Sequence, residues 1–293
     1  MKKIIALLLA LLTITACFAG CSESQPDAPE TQAPASQPDA TEPDATEPDA
    51  TEPVAEKKTV VVGYTIYEPM NYYDADGNFV GYDTDLAKAV FGNLGYEVIF
   101  QEIDWSQKYT DLDSGAIDCV WNGFTCNTAD DDGILRSEKV DFSYNYMENR
   151  QVVVAKADAA IATAADLNGK MIAVESGSAG ETYAANFEGG YVKGFLKQTE
   201  CLFEVVSGTA DVAILDAQLA KSYVGKGDYA DLVIVEGLDS DVEYYAIGFK
   251  KGSELTANVN AQLAALGADG TIAALAEQYG VANTAITDFS DQQ

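Results

Sequence analysis

The chain has 293 residues, with 47 acidic against 17 basic side chains and a formal charge of −30. That surplus excludes a nucleic-acid partner, because phosphate contacts need a basic patch. Histidine is absent, which excludes Ser-His-Asp and Cys-His catalysis and His-based zinc sites. No metal or cofactor site is expected.

Residues 1–20 read as a secretory signal: Lys2 and Lys3 precede an apolar stretch over residues 4–16, followed by small residues. The stretch is short for a membrane span, which needs ~20 residues. Phe18-Ala19-Gly20-Cys21 resembles the acylation site of bacterial lipoproteins. Ile14-Thr15-Ala16-Cys17 fits the same pattern, and an ordinary cleaved signal is the third reading; Cys21 is preferred because the polar segment begins directly after it. Residues 21–56 repeat Pro-Asp-Ala-Thr-Glu from Pro38, Pro43 and Pro48, with no aromatic or basic residue. Such a segment buries too little apolar surface to offset its ordering entropy. Extended at ~3.1 Å per residue, it is a tether of up to about 100 Å.

From Lys57 onward the chain is long enough for two lobes of ordinary domain size. Residues 59–64 form a β-branched buried strand, and Asp74-Ala75-Asp76-Gly77-Asn78 a turn. Helices are expected over residues 83–93 and 107–112, with a strand over 96–102 between them. Beyond Arg136 come strands at 151–156 and 171–174, then a helix opened by Gly177-Ser178-Ala179-Gly180. Residues 218–223 continue as helix, 232–235 as strand and 244–250 as a second long strand. Two amphipathic helices, 254–266 and 271–279, close the chain. The long strands at 151–156 and 244–249 are the expected crossings between lobes: residues 57–150 start lobe 1, 151–244 form lobe 2, 245–285 return to lobe 1, and 286–293 are a tail.

One phrase occurs twice. Ser114-Gly115-Ala116-Ile117-Asp118-Cys119-Val120-Trp121-Asn122 is echoed by Ser207-Gly208-Thr209-Ala210-Asp211-Val212-Ala213-Ile214-Leu215-Asp216. Each copy follows a helical stretch, offers Gly where a helix ends, and runs into a short apolar strand. Each then brings polar groups to the strand's carboxyl end, where open α/β sheets hold small ligands. Cys119 and Cys201 read as small buried apolar residues. With Cys126 they make an odd set, so no full disulfide framework is indicated, and a Cys119–Cys126 bridge stays open.

Several ordered phrases resemble the family 3 extracellular solute-binding proteins, the polar amino-acid receptors of ABC importers. They are Gly81-Tyr82-Asp83-Thr84-Asp85-Leu86-Ala87, Trp121-Asn122-Gly123-Phe124-Thr125, Arg136 with Lys139-Val140-Asp141-Phe142-Ser143, Gly177-Ser178, Asp211 to Asp216, and Asp269-Gly270-Thr271. The resemblance spans residues 57 to about 282. It implies an α/β fold of the two-lobed, periplasmic-binding-protein-like (type II) clamp, each lobe a mixed sheet flanked by helices. It also implies a monomeric, lipid-anchored receptor on the extracellular face of the bacterial membrane. Such a receptor captures a polar L-amino acid and hands it to an ABC permease. A dehydratase-type enzyme on the same scaffold, which without histidine would rely on Glu175, Glu68 or a lysine as acid or base, and a ligand-sensing module, for which no transmembrane or kinase segment is read, are the alternatives.

By the same resemblance, Arg136 takes the ligand carboxylate, assisted by Thr125 and the backbone amide of Ser178, while Asp216 and the Gly123 carbonyl take the ammonium. A longer acidic loop, Asp130-Asp131-Asp132-Gly133, has room to displace Arg136, whose alternative reading is a surface arginine; for Asp216 the alternative is an N-cap. Tyr64, Tyr67, Trp105 and Trp121 are expected to line the side-chain pocket. Glu175, if it faces the cleft, favours a cationic or amide side chain. Asp83, Asp85, Asp118 and Asp211 read as structural. Without imidazole, affinity is expected to stay flat between pH 6 and 8.

Overall fold

In the computed structural model, residues 58–292 are described; the signal, Cys17, Cys21, the tether and Gln293 lie outside the described residues. Two five-stranded sheets form the two lobes of the clamp. In the first, Lys58–Tyr64 pairs in parallel with Tyr96–Glu102 and Cys119–Val120. Gly248–Phe249 then runs antiparallel to both Cys119–Val120 and Asp141–Phe142. In the second, Met171–Glu175 lies between parallel strands Tyr191–Phe195 and Val212–Asp216, and Gln151–Lys156 runs antiparallel to Val212–Asp216 and Leu232–Ile234.

Chain passes between the lobes through a third, two-stranded piece, Met147–Asn149 against Glu243–Tyr245. Gln151–Lys156 itself belongs wholly to the second sheet. The expected strand over 244–250 is broken: the amide of Ala246 turns to the carbonyl of Phe124 at 3.0 Å, and Ile247 donates to the Ser143 hydroxyl at 2.9 Å. These side bonds re-aim the chain between its two pairings. Residues 286–292, read as a tail, are packed: Ile286 donates to the Tyr146 carbonyl at 2.9 Å, and buried Phe289 stacks on Tyr144.

The repeated phrase builds the same joint in each lobe. Helices Lys108–Ser114 and Gln198–Ser207 end at Gly115 and Gly208, with φ of 76° and 80°, values costly for any side chain. Asp118 then accepts from the amide of Val61 at 2.7 Å, and Asp211 from that of Met171 at 2.8 Å. Each aspartate ties its strand to the parallel neighbour. Cys119, Cys126 and Cys201 are free thiols, and burial pushes the Cys126 thiol up to about 11.

Strand Tyr191–Phe195 carries no sequence signal. It is an edge with two exposed hydrophobics, Tyr191 and Val192, so inward–outward alternation is absent. Among the described residues, no helix is long and apolar enough to cross a membrane.

Candidate functional site

The carboxyl ends of both sheets face one cleft. Gly123 and Thr125 follow strand Cys119–Val120 of lobe 1, and Trp105 and Arg136 open the short helices Trp105–Gln107 and Arg136–Lys139. Glu175, Ser178 and Asp216 come from the strand ends of lobe 2. All seven line one cavity, together with Asn122, Ala179 and Gln198. Its volume is about 10 Å³, room for roughly one water, so an amino acid enters when the lobes part. An open pocket of about 480 Å³, bounded by Thr128, Asp241 and Glu243, shares Ala179 with this cavity.

Arg136 is 1 % exposed and faces this cavity; the surface reading is overturned. The acidic insertion clamps it in place. Residues 129–135 double back, with the amide of Asp130 on the Ile134 carbonyl at 3.0 Å. Asp130 turns inward to accept from Arg136 Nε at 2.8 Å, Lys139 Nζ at 2.8 Å and the Tyr109 hydroxyl at 2.6 Å. Burial works against the Asp130 charge, yet Arg136, Lys139 and Tyr109 hold its carboxyl below the ordinary range. The two Nη atoms of Arg136 reach the carbonyls of Thr125 and Gly177, at 3.2 and 3.4 Å.

Lys108 was not legible as a site residue. Its Nζ donates to the Gly177 carbonyl across the cleft at 2.9 Å and to Trp105 at 3.3 Å. Burial, then Arg136, pull it down to about 7.

The acidic end has two carboxylates sharing donors. Asp216 Oδ1 accepts from Asn149 Nδ2 at 2.6 Å and Gln151 Nε2 at 2.7 Å, and its other oxygen accepts from Gln198. Gln198 closes the exchange by accepting from the Asp216 amide at 3.0 Å. Asp216 precedes helix Ala217–Tyr223 but makes no side-chain bond to it, so the N-cap reading fails and the carboxylate stays in the cleft. Glu243 accepts from the same Gln151 and Asn149 amides, at 3.0 and 3.3 Å, and from the Thr125 hydroxyl at 3.0 Å. Gln198, Asn149, Gln151 and Glu243 are therefore site residues that sequence reasoning missed. Burial raises Asp216. Burial, then the Asp216 charge, push Glu175 up to about 8 and Glu243 up to about 7.

The raised acids give the stability of the free protein a pH dependence of its own. Burial also raises Asp83 to about 7. A carboxyl whose folded value lies above its unfolded value, ~4, holds a proton that unfolding releases. Its stabilisation is complete below that lower value and is lost as pH rises through the folded one. Lys108 acts in the opposite direction, but only above pH 7. The melting temperature of the free protein is therefore expected to fall from pH 5 to pH 7. A flat or rising curve would show that these acids are already charged and compensated.

Three expected pocket residues lie outside the cavity wall. Tyr64 packs its ring on Phe79, 4.6 Å away between centroids, and on Phe100, which turns it away from the cavity. Trp121 is fully buried against Phe91 and Tyr146; side chains alternate along extended chain, so Trp121 faces the core while Asn122 faces the cleft. Tyr67 is below the wall: its ring lies under Gly123, and its hydroxyl meets that of Tyr245 at 2.7 Å. Ser178 lines the cavity, but its amide already donates to the Glu175 carbonyl at 3.1 Å, and its hydroxyl caps Glu181. Asp83 holds the floor, accepting from the Gly123 amide at 2.9 Å and the Tyr146 hydroxyl at 2.8 Å.

The profile of bacterial extracellular solute-binding proteins, family 3, matches residues 60–282. The arginine-binding extracellular protein of Bacillus subtilis (strain 168) is 30% identical over 229 residues, covering 76% of this chain and 86% of that one. An ancestral arginine-binding protein bound to arginine superposes with a TM-score of 0.68 at 33% identity, over 75% of this chain and 97% of that one. An ABC uptake transporter substrate-binding protein from Streptococcus pneumoniae with bound histidine gives a TM-score of 0.66 at 30% identity, over 75% and 92% of the two chains. With the clamp, the shared strand-end cleft and a match over most of its length, the chain belongs to the bacterial extracellular solute-binding proteins, family 3.

Proposed function

We propose that this protein is a lipid-anchored extracellular receptor that binds a polar L-amino acid between its lobes and delivers it to an ABC-type permease. One observation carries the reading: Arg136 of lobe 1 and Asp216 of lobe 2 line the same cavity. A zwitterion surrendering its water needs charge-assisted donors at one end and an anionic acceptor at the other. Placing the two on different lobes makes ligand binding and lobe closure one event.

The remaining parts of the reading come from the chain before Lys58. Acylation at Cys21 with more than one lipid chain gives stable anchoring, and the acidic tether lets a monomeric clamp reach a membrane partner. The named relatives being binding proteins supports a receptor over an enzyme.

Titration calorimetry of the protein against the common L-amino acids is expected to give one-to-one binding for at least one polar member. A panel with no binder would overturn the reading. Ligand recovered chemically changed would favour the dehydratase alternative.

A further inference from the structure

The cleft holds more acid than a zwitterion requires. Arg136 is already paired with Asp130. That leaves Glu175, Asp216 and Glu243 buried around the cavity with Lys108 as the remaining buried cation. Asp216 and Arg136 are assigned to the two ends of the backbone zwitterion, which adds no net charge. The excess is therefore left for the side chain to meet.

Glu175 is where it is exposed to the ligand. It ends strand Met171–Glu175, lies in the cavity wall and is 3 % exposed. Its Oε1 is buried with no hydrogen-bond partner, an arrangement that costs free energy until a donor arrives. We infer that the ligand of this cleft is an L-α-amino acid with a positively charged side chain, whose cationic head pairs with Glu175. The inference rests on the reading of the cleft as an amino-acid receptor site and names its substrate class.

An amide side chain supplies a donor to Oε1 but no charge to draw Glu175 into its ionised form. An acidic side chain would be drawn to Lys108, yet Lys108 already donates to two carbonyls and lies outside the cavity wall, whereas Glu175 is in it.

Arginine and citrulline have nearly the same shape and differ by one charge, so calorimetry with this pair at pH 7 isolates the effect. The cation is expected to bind at least about 10-fold more tightly, because it alone makes a charge-assisted hydrogen bond to Glu175. Lysine and ornithine are expected on arginine's side of the comparison, and glutamine on citrulline's. In Glu175→Gln the preference for the charged member is expected to collapse to within a few-fold. Glu175 faces Asp216 and Lys108 and is flanked by Gln198 and Thr65. Burial and the Asp216 charge push its carboxyl up to about 8, and pairing with an arriving cation draws it back down. The binding heat of a cationic ligand therefore varies with the ionisation enthalpy of the buffer, and that dependence weakens in Glu175→Gln.

Citrulline or glutamine binding as tightly as the cations would overturn the inference and leave the receptor reading standing. A folded Glu175→Gln with an unchanged ratio would do the same. Absence of any amino-acid binding would instead remove the receptor reading, and this inference with it. Should Glu175→Gln not fold, the ratio in the unsubstituted protein decides alone.

Discussion

Arg136→Ala is expected to weaken amino-acid binding by about 2–5 kcal/mol, a loss of about 30- to 4,000-fold. The side chain is buried at the base of the cleft, and its guanidinium is the cavity's own cation. Removing it strands two anions: the ligand carboxylate, and Asp130, left to Lys139 and the Tyr109 hydroxyl. The second loss acts before any ligand arrives, since breaking a buried pair costs about 3–5 kcal/mol. Calorimetry and thermal melts together separate the two effects. Arg136→Lys is expected to restore little affinity, because a point charge cannot reproduce the guanidinium fork. An affinity loss below about five-fold in a folded Arg136→Ala protein, under 1 kcal/mol, would place the carboxylate elsewhere.

The second large effect is steric. Gly123 has φ of 60°, and a Cβ there would come within 2.7 Å of the Tyr67 ring and 3.0 Å of the Tyr245 ring. Both rings are fully enclosed and tied to each other through their hydroxyls. Gly123→Ala adds the left-handed backbone cost, about 1–2 kcal/mol, to overpacking of about 1–3 kcal/mol. The sum, about 2–5 kcal/mol, is a large share of an ordinary domain's stability of about 5–15 kcal/mol. It reads out as a lower urea midpoint with an unchanged slope. A shift under about 0.5 kcal/mol, typical of an innocuous surface change, would mean the rings yield freely. Because Tyr245 also feels Asp216 and Glu243, the variant is expected to lose affinity as well.

What the sequence revealed depended on how local each cause is. Helix Tyr82–Asn93, strand Tyr96–Glu102 and the two glycine-terminated helices were legible because periodicity and a φ-tolerant residue are properties of neighbours in the chain. Arg136, Asp216, Thr125 and Gly123 were legible through the family's phrases, each a short run with a fixed role. Asn149, Gln151, Gln198 and Glu243 belong to no such phrase. They matter because four separate segments meet at Asp216, a long-range fact no window contains. Tyr64 and Trp121 misled for the converse reason: adjacent to cleft residues in sequence, they point the other way in space. The acidic insertion illustrates a third case. Its charge was obvious, but only the fold shows Asp130 turned inward onto the arginine that the loop had room to displace.

The first sheet has an order of assembly written into it. Lys58–Tyr64 is its earliest strand, yet Asp141–Phe142 joins the rest only through Gly248–Phe249, which a ribosome delivers more than a hundred residues later. The other sheet is drawn from one uninterrupted stretch, Gln151 to Ile234. During synthesis the half that begins second is thus the first whose strands are all present. The half that begins first must wait, an edge unpaired, until the chain has crossed back.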